Sequence, residues 1–315
     1  MPTLLIIGGT GFFGKSILDA YKRGLLSPWN IDKVIAMSRN ATKLEFKHPE
    51  LILDTVELLD GDISTVNFLP KSDYVIHAAA STNVSRYLRH NEEEKQNIIK
   101  GTLNYCRLAP KFHKNCKIVF CSSGAIYGYQ SKKVRYLTEG MAFGNIEKLN
   151  EVKKSYAYAK RDAEFAIKEL GQVGLNVSIA RCFSFVGKYL PRDQHFAIGN
   201  FIADGLAGRD INVKSDRRVY RSYMYADDLV KWLMTLANNS SPKCPIYNVG
   251  SDKEVEIRVL ANIVGEVFNV GIQSSESNVT CVDRYIPSVK KIKAKLGLKL
   301  NLDLKKTIYL SIKDD

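Results

Sequence analysis

Leu4-Leu5-Ile6-Ile7-Gly8-Gly9-Thr10-Gly11-Phe12-Phe13-Gly14-Lys15 is the stretch on which the fold turns. A short apolar run, the length of a buried strand, enters glycines at 8, 11 and 14, and a helical pattern follows from Lys15 to Tyr21. Such a loop leaves free amides at the helix N-terminus, while its glycines permit a sharp turn, a close approach by pyrophosphate and tight packing of helix on strand. Gly8, Thr10, Gly11, Phe12, Phe13 and Gly14 are thus candidate ligands of a dinucleotide.

Outward from this loop, short apolar runs recur at Lys33–Met37, Val56–Leu59, Tyr74–His77, Ile118–Cys121 and Asn176–Ala180, separated by helix-length polar segments. Runs this short and aliphatic, spaced for crossover helices, indicate an α/β fold with a Rossmann-type, doubly wound parallel sheet. After Cys182 the alternation weakens, leaving loops and one helical pattern (His195–Gly208) over residues 184–222, with further helices at Arg258–Phe268 and Ser288–Leu296. Asp227–Ala237 and Pro245–Val249 look like a returning helix and strand. The expected division is therefore a dinucleotide-binding domain at 1–182 and 223–252, and a smaller, discontinuous C-terminal substrate-binding lobe at 183–222 and 253–315.

At the end of the second run, where an acid would bond the ribose hydroxyls of NAD, the chain has Ser38-Arg39-Asn40. A guanidinium in place of the acid suits the 2′-phosphate of NADP; alternatively Arg39 stacks on adenine and NAD is accepted. Asp62 is placed to accept a hydrogen bond from the adenine amino group or to cap a turn.

The 315 residues are 45% apolar and 25% charged, which excludes disordered and fibrous classes. The apolar runs are far shorter than the ~20 residues of a membrane-spanning helix, so neither a span nor a signal peptide is expected. Six scattered cysteines, with no Cys-x-x-Cys pair, read as reduced thiols of a cytoplasmic protein without a metal site. A formal charge of +13 favours anionic partners without choosing among nucleic acid, membrane and phosphorylated small molecules. Its densest groups, Lys132–Arg135 and Lys290–Lys295, read as solvated faces, and no nucleic-acid partner is expected.

Ser123 lies just past the run Ile118–Cys121, and Tyr156 and Lys160 stand four apart on one helix face. A phenol near pKa ~10 needs a neighbouring cation to act as a base at neutral pH. Lys160 is spaced to supply it, with Ser123 bonding the substrate oxygen while Tyr156 exchanges a proton with it.

With these residues assembled, the chain resembles, over nearly its whole length, an extended short-chain dehydrogenase/reductase of the NAD(P)-dependent nucleotide-sugar epimerase/dehydratase family. His77-Ala78-Ala79-Ala80, Asn97 with Gly101-Thr102, Arg221-Ser222-Tyr223 and Tyr247-Asn248-Val249-Gly250 match its further motifs. The resemblance implies a nucleoside-diphosphate sugar as substrate and a homodimer built through helices near 91–109 and 153–171. It adds Ile63, Ala78, Ala79, Ala80 and Phe183 to the cofactor set, beside Tyr156 and Lys160. Its substrate set is Thr82, Ser122, Ser123, Asn200, Lys214 and Arg221. His195 is a further candidate; His195 and Asn200 could instead cap a helix, and Lys214 could be a surface charge.

One departure narrows the chemistry. The family's 4,6-dehydratases carry Asp and Glu directly after the catalytic hydroxyl residue, where this chain has Gly124 and Ala125. The expectation is an NADPH-dependent reductase of a nucleoside-diphosphate 4-keto-6-deoxyhexose for surface polysaccharide of the O-antigen type. A nucleoside-diphosphate-sugar 4-epimerase with bound NAD is the first alternative. A reductase of apolar ketones and a non-catalytic RNA-binding protein of the same fold are the others.

Overall fold

Aliphatic residues that water excludes form the sheet. In the computed structural model, which describes residues 2–80, 84–194, 196–274 and 282–313, the first run is β1 (Thr3–Ile7), followed by α1 (Phe12–Lys22). Next come β2 (Lys33–Ser38), a short α2 (Lys43–Lys47), β3 (Val56–Asp60) and β4 (Tyr74–His77). They are followed by α3 (Val84–Phe112), β5 (Lys117–Ser123), α4 (Glu151–Gln172) and β6 (Asn176–Cys182). A seventh strand, Ile246–Val249, lies beside β6, and the sheet order from that edge is Ile246–Val249, β6, β5, β4, β1, β2, β3.

All neighbours from β3 to β6 pair in parallel, so the expected Rossmann-type sheet is present. Its order reverses at β1, which pairs with β2 on one side and β4 on the other. This reversal opens a crevice at the carboxyl ends of the strands, where the glycine loop sits. Every run read as a strand is one, and β5 and β6 extend to the pair Ser123↔Cys182. The core covers one face of the sheet, where Leu5, Ile7, Val75, Phe120 and Ile179 meet Ala159, Ala163 and Ile167 of α4, an inward stripe at four-residue spacing.

Contacts divide the chain into two units, residues 1–129, 143–182 and 230–247, and residues 130–142, 183–229 and 248–315. In the second, helices Ala197–Leu206 and Ile257–Phe268 pack closely because Gly205 has no side chain to meet the Phe268 ring. Strands Arg218–Arg221, Val255–Glu256 and Val282–Arg284 form a small sheet. A parallel pair is made by Ile211–Val213 and Ile272–Ser274. These strands replace part of what read as loop over 184–222; two to four residues are too few for alternation to show.

The tightest backbone approach is at Gly14, where an added Cβ would lie 2.2 Å from the Gly9 oxygen and 2.5 Å from its carbonyl carbon. Gly14→Ala is expected to lower unfolding stability by about 2 kcal/mol, since neither contact is a flexible side chain. Urea unfolding should show a lower midpoint at unchanged slope. Gly140→Ala, with nothing within 4 Å, is the control and should change stability by less than about 0.5 kcal/mol.

Candidate functional site

The glycine loop is a cradle that side chains would fill. Gly8 has φ +102, and a Cβ there would stand 2.9 Å from Ala78 carbonyl atoms. The amides of Gly8 and Gly9 both donate to the Met37 carbonyl, at 2.8 and 3.0 Å, and Gly11 N donates to Gly8 O at 3.1 Å. Helix α1 begins without a side-chain cap, so its first amides are available to an anion. Thr10 is exposed, Phe12 and Phe13 are half-buried edge to face at 5.8 Å, and the Ser38 hydroxyl donates to Thr10 Oγ1 at 3.1 Å. These features fit a dinucleotide's phosphates.

Arg39 and Asn40 are exposed at the end of β2. The acid paired beside Ser38 across the sheet is Asp60, but it is engaged, accepting from Thr42 N at 3.0 Å and Thr42 Oγ1 at 2.8 Å. Those bonds hold its carboxyl below the usual carboxylate range. Asp62 caps its own turn, accepting from Ser64 N at 2.9 Å and Ser64 Oγ at 2.7 Å. Ile63 is buried over Gly101, its carbonyl bonded by Asn104 at 2.8 Å. Ala78, Ala79 and Ala80 line the exit from β4 half-buried.

At the end of β5, Ser123 Oγ accepts from Ala125 N at 3.1 Å. Its hydroxyl also bonds the Tyr156 phenol, which lowers that group's pKa, yet burial is the larger effect and pushes it well above the ordinary range. Lys160 is 2% exposed, and its Nζ donates to the Cys121 carbonyl at 2.8 Å and lies 6.0 Å from the centre of the Tyr156 ring. Burial brings its pKa down to about 8. The three residues do converge, but here the phenol is held protonated rather than drawn toward phenolate. Tyr158, four residues before Asp162 on the outer face, bonds Glu147 at 2.7 Å instead. Ser122 is buried with its hydroxyl unpartnered. His77 is also buried with neither ring nitrogen bonded, and is driven to about 3 by burial and by the Lys160 charge.

Asn97, matched above together with Gly101 and Thr102, is exposed, while Ile98 turns into the core. Glu94, Ile98 and Thr102, all buried, form the inward row of α3 at four-residue spacing, and Asn97 falls off that row.

Within the second unit, Phe183 stacks on Tyr285 at 4.7 Å and its amide donates to Val249 O at 3.0 Å. Asn200 is half-buried inside helix Ala197–Leu206, whose start has no side-chain cap, so it is not the N-cap. Lys214 is exposed after strand Ile211–Val213. Arg221 is held by Asp283, with Nη2 3.0 Å from Oδ2, and by the Tyr220 carbonyl at 2.8 Å. Thr82, His195 and Cys281 lie outside the described residues. Among the described residues no cluster of potential metal ligands occurs, and no helix is long and apolar enough to cross a membrane.

Sequence reasoning missed Asp283, Arg161 and Glu164. Glu164 alone had a local signal, standing one turn beyond Lys160; the other two acquire partners only through folding.

Residues 4–250 match the model of the NAD dependent epimerase/dehydratase family. The chain is 28% identical over 317 residues to UDP-glucuronic acid decarboxylase 6 of Arabidopsis thaliana, covering 99% of this chain and 88% of the relative. Among solved structures it resembles UDP-glucose 4-epimerase of Thermotoga maritima at TM-score 0.78 and 20% identity, covering 99% and 97% of the two chains. It also resembles the dTDP-glucose 4,6-dehydratase of Streptomyces venezuelae, solved with NAD, at TM-score 0.81, 20% identity and the same coverages.

The buried ammonium makes a stability prediction. Below about 8 both folded and unfolded chains carry the Lys160 proton, and the folded chain bears the full cost of the buried charge. Between about 8 and the ordinary 10.5 the unfolded chain binds more protons, so stability rises with pH. Lys160→Met is expected to be more stable at pH 7, by up to about 3 kcal/mol less the lost bond to Cys121. Urea titrations across pH 7 to 11 should show that advantage shrinking through the same window; a pH-independent difference would contradict the burial account.

Proposed function

The chain belongs to the NAD dependent epimerase/dehydratase family, and we propose that it reduces the 4-keto group of a nucleoside-diphosphate 4-keto-6-deoxyhexose with NADPH, in the assembly of a surface polysaccharide. The observation that carries this reading is the end of β2: Arg39 is exposed there, and the neighbouring strand-end acid, Asp60, is taken by Thr42. A free guanidinium beside an engaged carboxylate favours a 2′-phosphate over bare ribose hydroxyls.

Gly8, Gly11, Gly14 and the start of α1 would hold the pyrophosphate, with Arg39 at the 2′-phosphate and Ala78–Ala80 along the chain of the cofactor. When bound, NADPH supplies the hydride received by the carbonyl carbon. Tyr156, kept protonated by its burial, gives its hydroxyl proton to the carbonyl oxygen. Ser123 donates a hydrogen bond to that oxygen, and the Lys160 ammonium offsets the phenolate left behind. Gly124 and Ala125 place no carboxylate after Ser123, which argues against a dehydratase. In the second unit, Arg221, with Lys214 and Asn200, would meet the diphosphate and base.

A 4-epimerase retaining NAD is the second reading, favoured by the fold likeness to a 4-epimerase. The cofactor separates the two. Purified protein is expected to bind added NADPH at least about tenfold more tightly than NADH, and to oxidise it only with 4-keto-6-deoxy sugar nucleotides. Tightly retained NAD, with interconversion of UDP-glucose and UDP-galactose, would establish the epimerase; carbon dioxide release from UDP-glucuronic acid would establish a decarboxylase.

The five cysteines among the described residues are free thiols, which suits the cytoplasm. A homodimer is proposed on the outer faces of α3 and α4, where Ile99 and Leu103 face Asp162, Phe165 and Ala166 across a groove floored by the buried Thr102 and Ala163. Leu103 and Phe165 are 53% and 68% exposed, apolar surface that a second copy would cover. Light scattering is expected to give a dimer for the wild type and a folded monomer for Leu103→Glu/Phe165→Glu; a monomeric wild type rejects the proposal.

A further inference from the structure

The turn that carries the chain out of β5, Gly124–Gly128, is gripped by two arginines that the chemistry above does not use. Arg161, on α4, donates from Nε to the Ile126 carbonyl at 2.8 Å and from Nη2 to the Gly144 carbonyl at 3.0 Å. Gly128 has φ +67 and sits where a Cβ would stand 2.7 Å from the Gly144 oxygen and 3.0 Å from Arg161 Nη2. Arg181, on β6 and 3% exposed, donates from Nη1 to the Tyr127 hydroxyl at 3.1 Å. Its other edge meets Glu164, also 3% exposed, with Nε 3.1 Å from Oε1 and Nη2 2.9 Å from Oε2. The Phe143 ring lies against both guanidiniums, at 4.6 Å from Arg161 and 5.3 Å from Arg181, with the Tyr127 ring edge-on at 6.3 Å.

A buried ion pair is poor evidence of stabilisation, because removing two charges from water offsets their attraction, and apolar replacements are often no less stable. What this pair does have is connectivity. Glu164 stands one turn beyond Lys160 and two beyond Tyr156 on α4, while Tyr127 and Ile126 belong to the turn whose Ala125 amide bonds Ser123 Oγ. The clamp therefore joins the helix bearing Tyr156 and Lys160 to the turn that orients Ser123.

We propose that Arg161 and Arg181, with Glu164 and Phe143, are positioning residues that fix the Gly124–Gly128 turn so that the Ser123 hydroxyl faces the Tyr156 phenol. The proposal rests on the reading of Ser123 and Tyr156 as the reacting hydroxyl pair. It predicts that loosening the turn slows the chemical step without weakening cofactor or sugar-nucleotide binding.

The test uses the full chain and the double variant Arg181→Met/Glu164→Leu, which removes both charges of the pair, with Arg161→Met as an independent second variant that leaves Glu164 beside Lys160. Both are expected to bind NADP with wild-type affinity. With the sugar nucleotide that the wild type turns over, kcat is expected to fall by about 10- to 100-fold at unchanged KM, the size of effect that a small misplacement produces. In a Ser123→Ala background the same changes should cost less than about threefold, because residues acting through one group are not additive. Amide hydrogen exchange supplies a readout that needs no turnover. Ala125 and Gly128 should exchange at least about tenfold faster in both variants, while the middle of β5 and β6 stays protected. Unchanged exchange in the turn, or an equal loss of kcat with and without Ser123, overturns the clamp. Should the wild type transfer hydride with no sugar nucleotide, the functional reading fails on its own and exchange alone decides the clamp.

Discussion

A lysine ammonium buried at the carboxyl end of the sheet constrains everything around it. Lys160 is 2% exposed, and a charge in that position is tolerable only where hydrogen bonds and fixed dipoles replace water. The Cys121 carbonyl takes one of its protons at 2.8 Å, and the face of Phe120 lies 5.0 Å from it. Glu164, one turn on, favours the charged form, though less than burial opposes it. The same ammonium helps to keep His77 neutral, with a pKa near 3. The ends of β4 and β5 and the middle of α4 thus answer to one charge, and a second cation there would compound the cost.

That arrangement also explains why Tyr156 does not behave as spacing alone suggests. Four residues of helix bring Lys160 beneath the phenol, and the expectation was a phenol lowered by its neighbour. In the folded chain the lysine is committed to a strand carbonyl, the phenol is buried, and of its neighbours it is Ser123 that lowers it. Desolvation outweighs that hydrogen bond. A phenol that keeps its proton can donate it to a substrate oxygen, as the proposed carbonyl reduction requires.

Local pattern carried the first half of the chain almost completely. The strands around the glycine loop are four to seven residues long, aliphatic and bounded by turns, so each was legible from sequence, and so were Tyr156 and Lys160 by their shared helix face. The second unit was harder because its strands have two to four residues, below the length at which alternation has meaning. The Arg221–Asp283 and Arg181–Glu164 pairs were illegible for another reason. Their partners are far apart in sequence or, for Arg181, meet only when strand and helix pack, so only the fold can state them.

The charge excess looks different once partners are assigned. A net +13 suggests a polyanion surface when counted along the chain, yet many of the basic residues meet acids. Glu254 is shared by Arg135 at 2.6 Å and Arg284 at 3.1 Å, Lys293 meets Asp252 at 2.7 Å, and Arg218 meets Glu256 at 3.1 Å. Even the lysine-rich helix Lys290–Leu296 turns Ile292 inward and pairs one of its lysines. A polymer reads a continuous stripe of cations, whereas a small phosphate needs one or two at a defined place. Arg39, exposed at a strand end beside an engaged aspartate, is the place proposed for such a phosphate, and in that proposal a single guanidinium weighs more than the whole excess of charge.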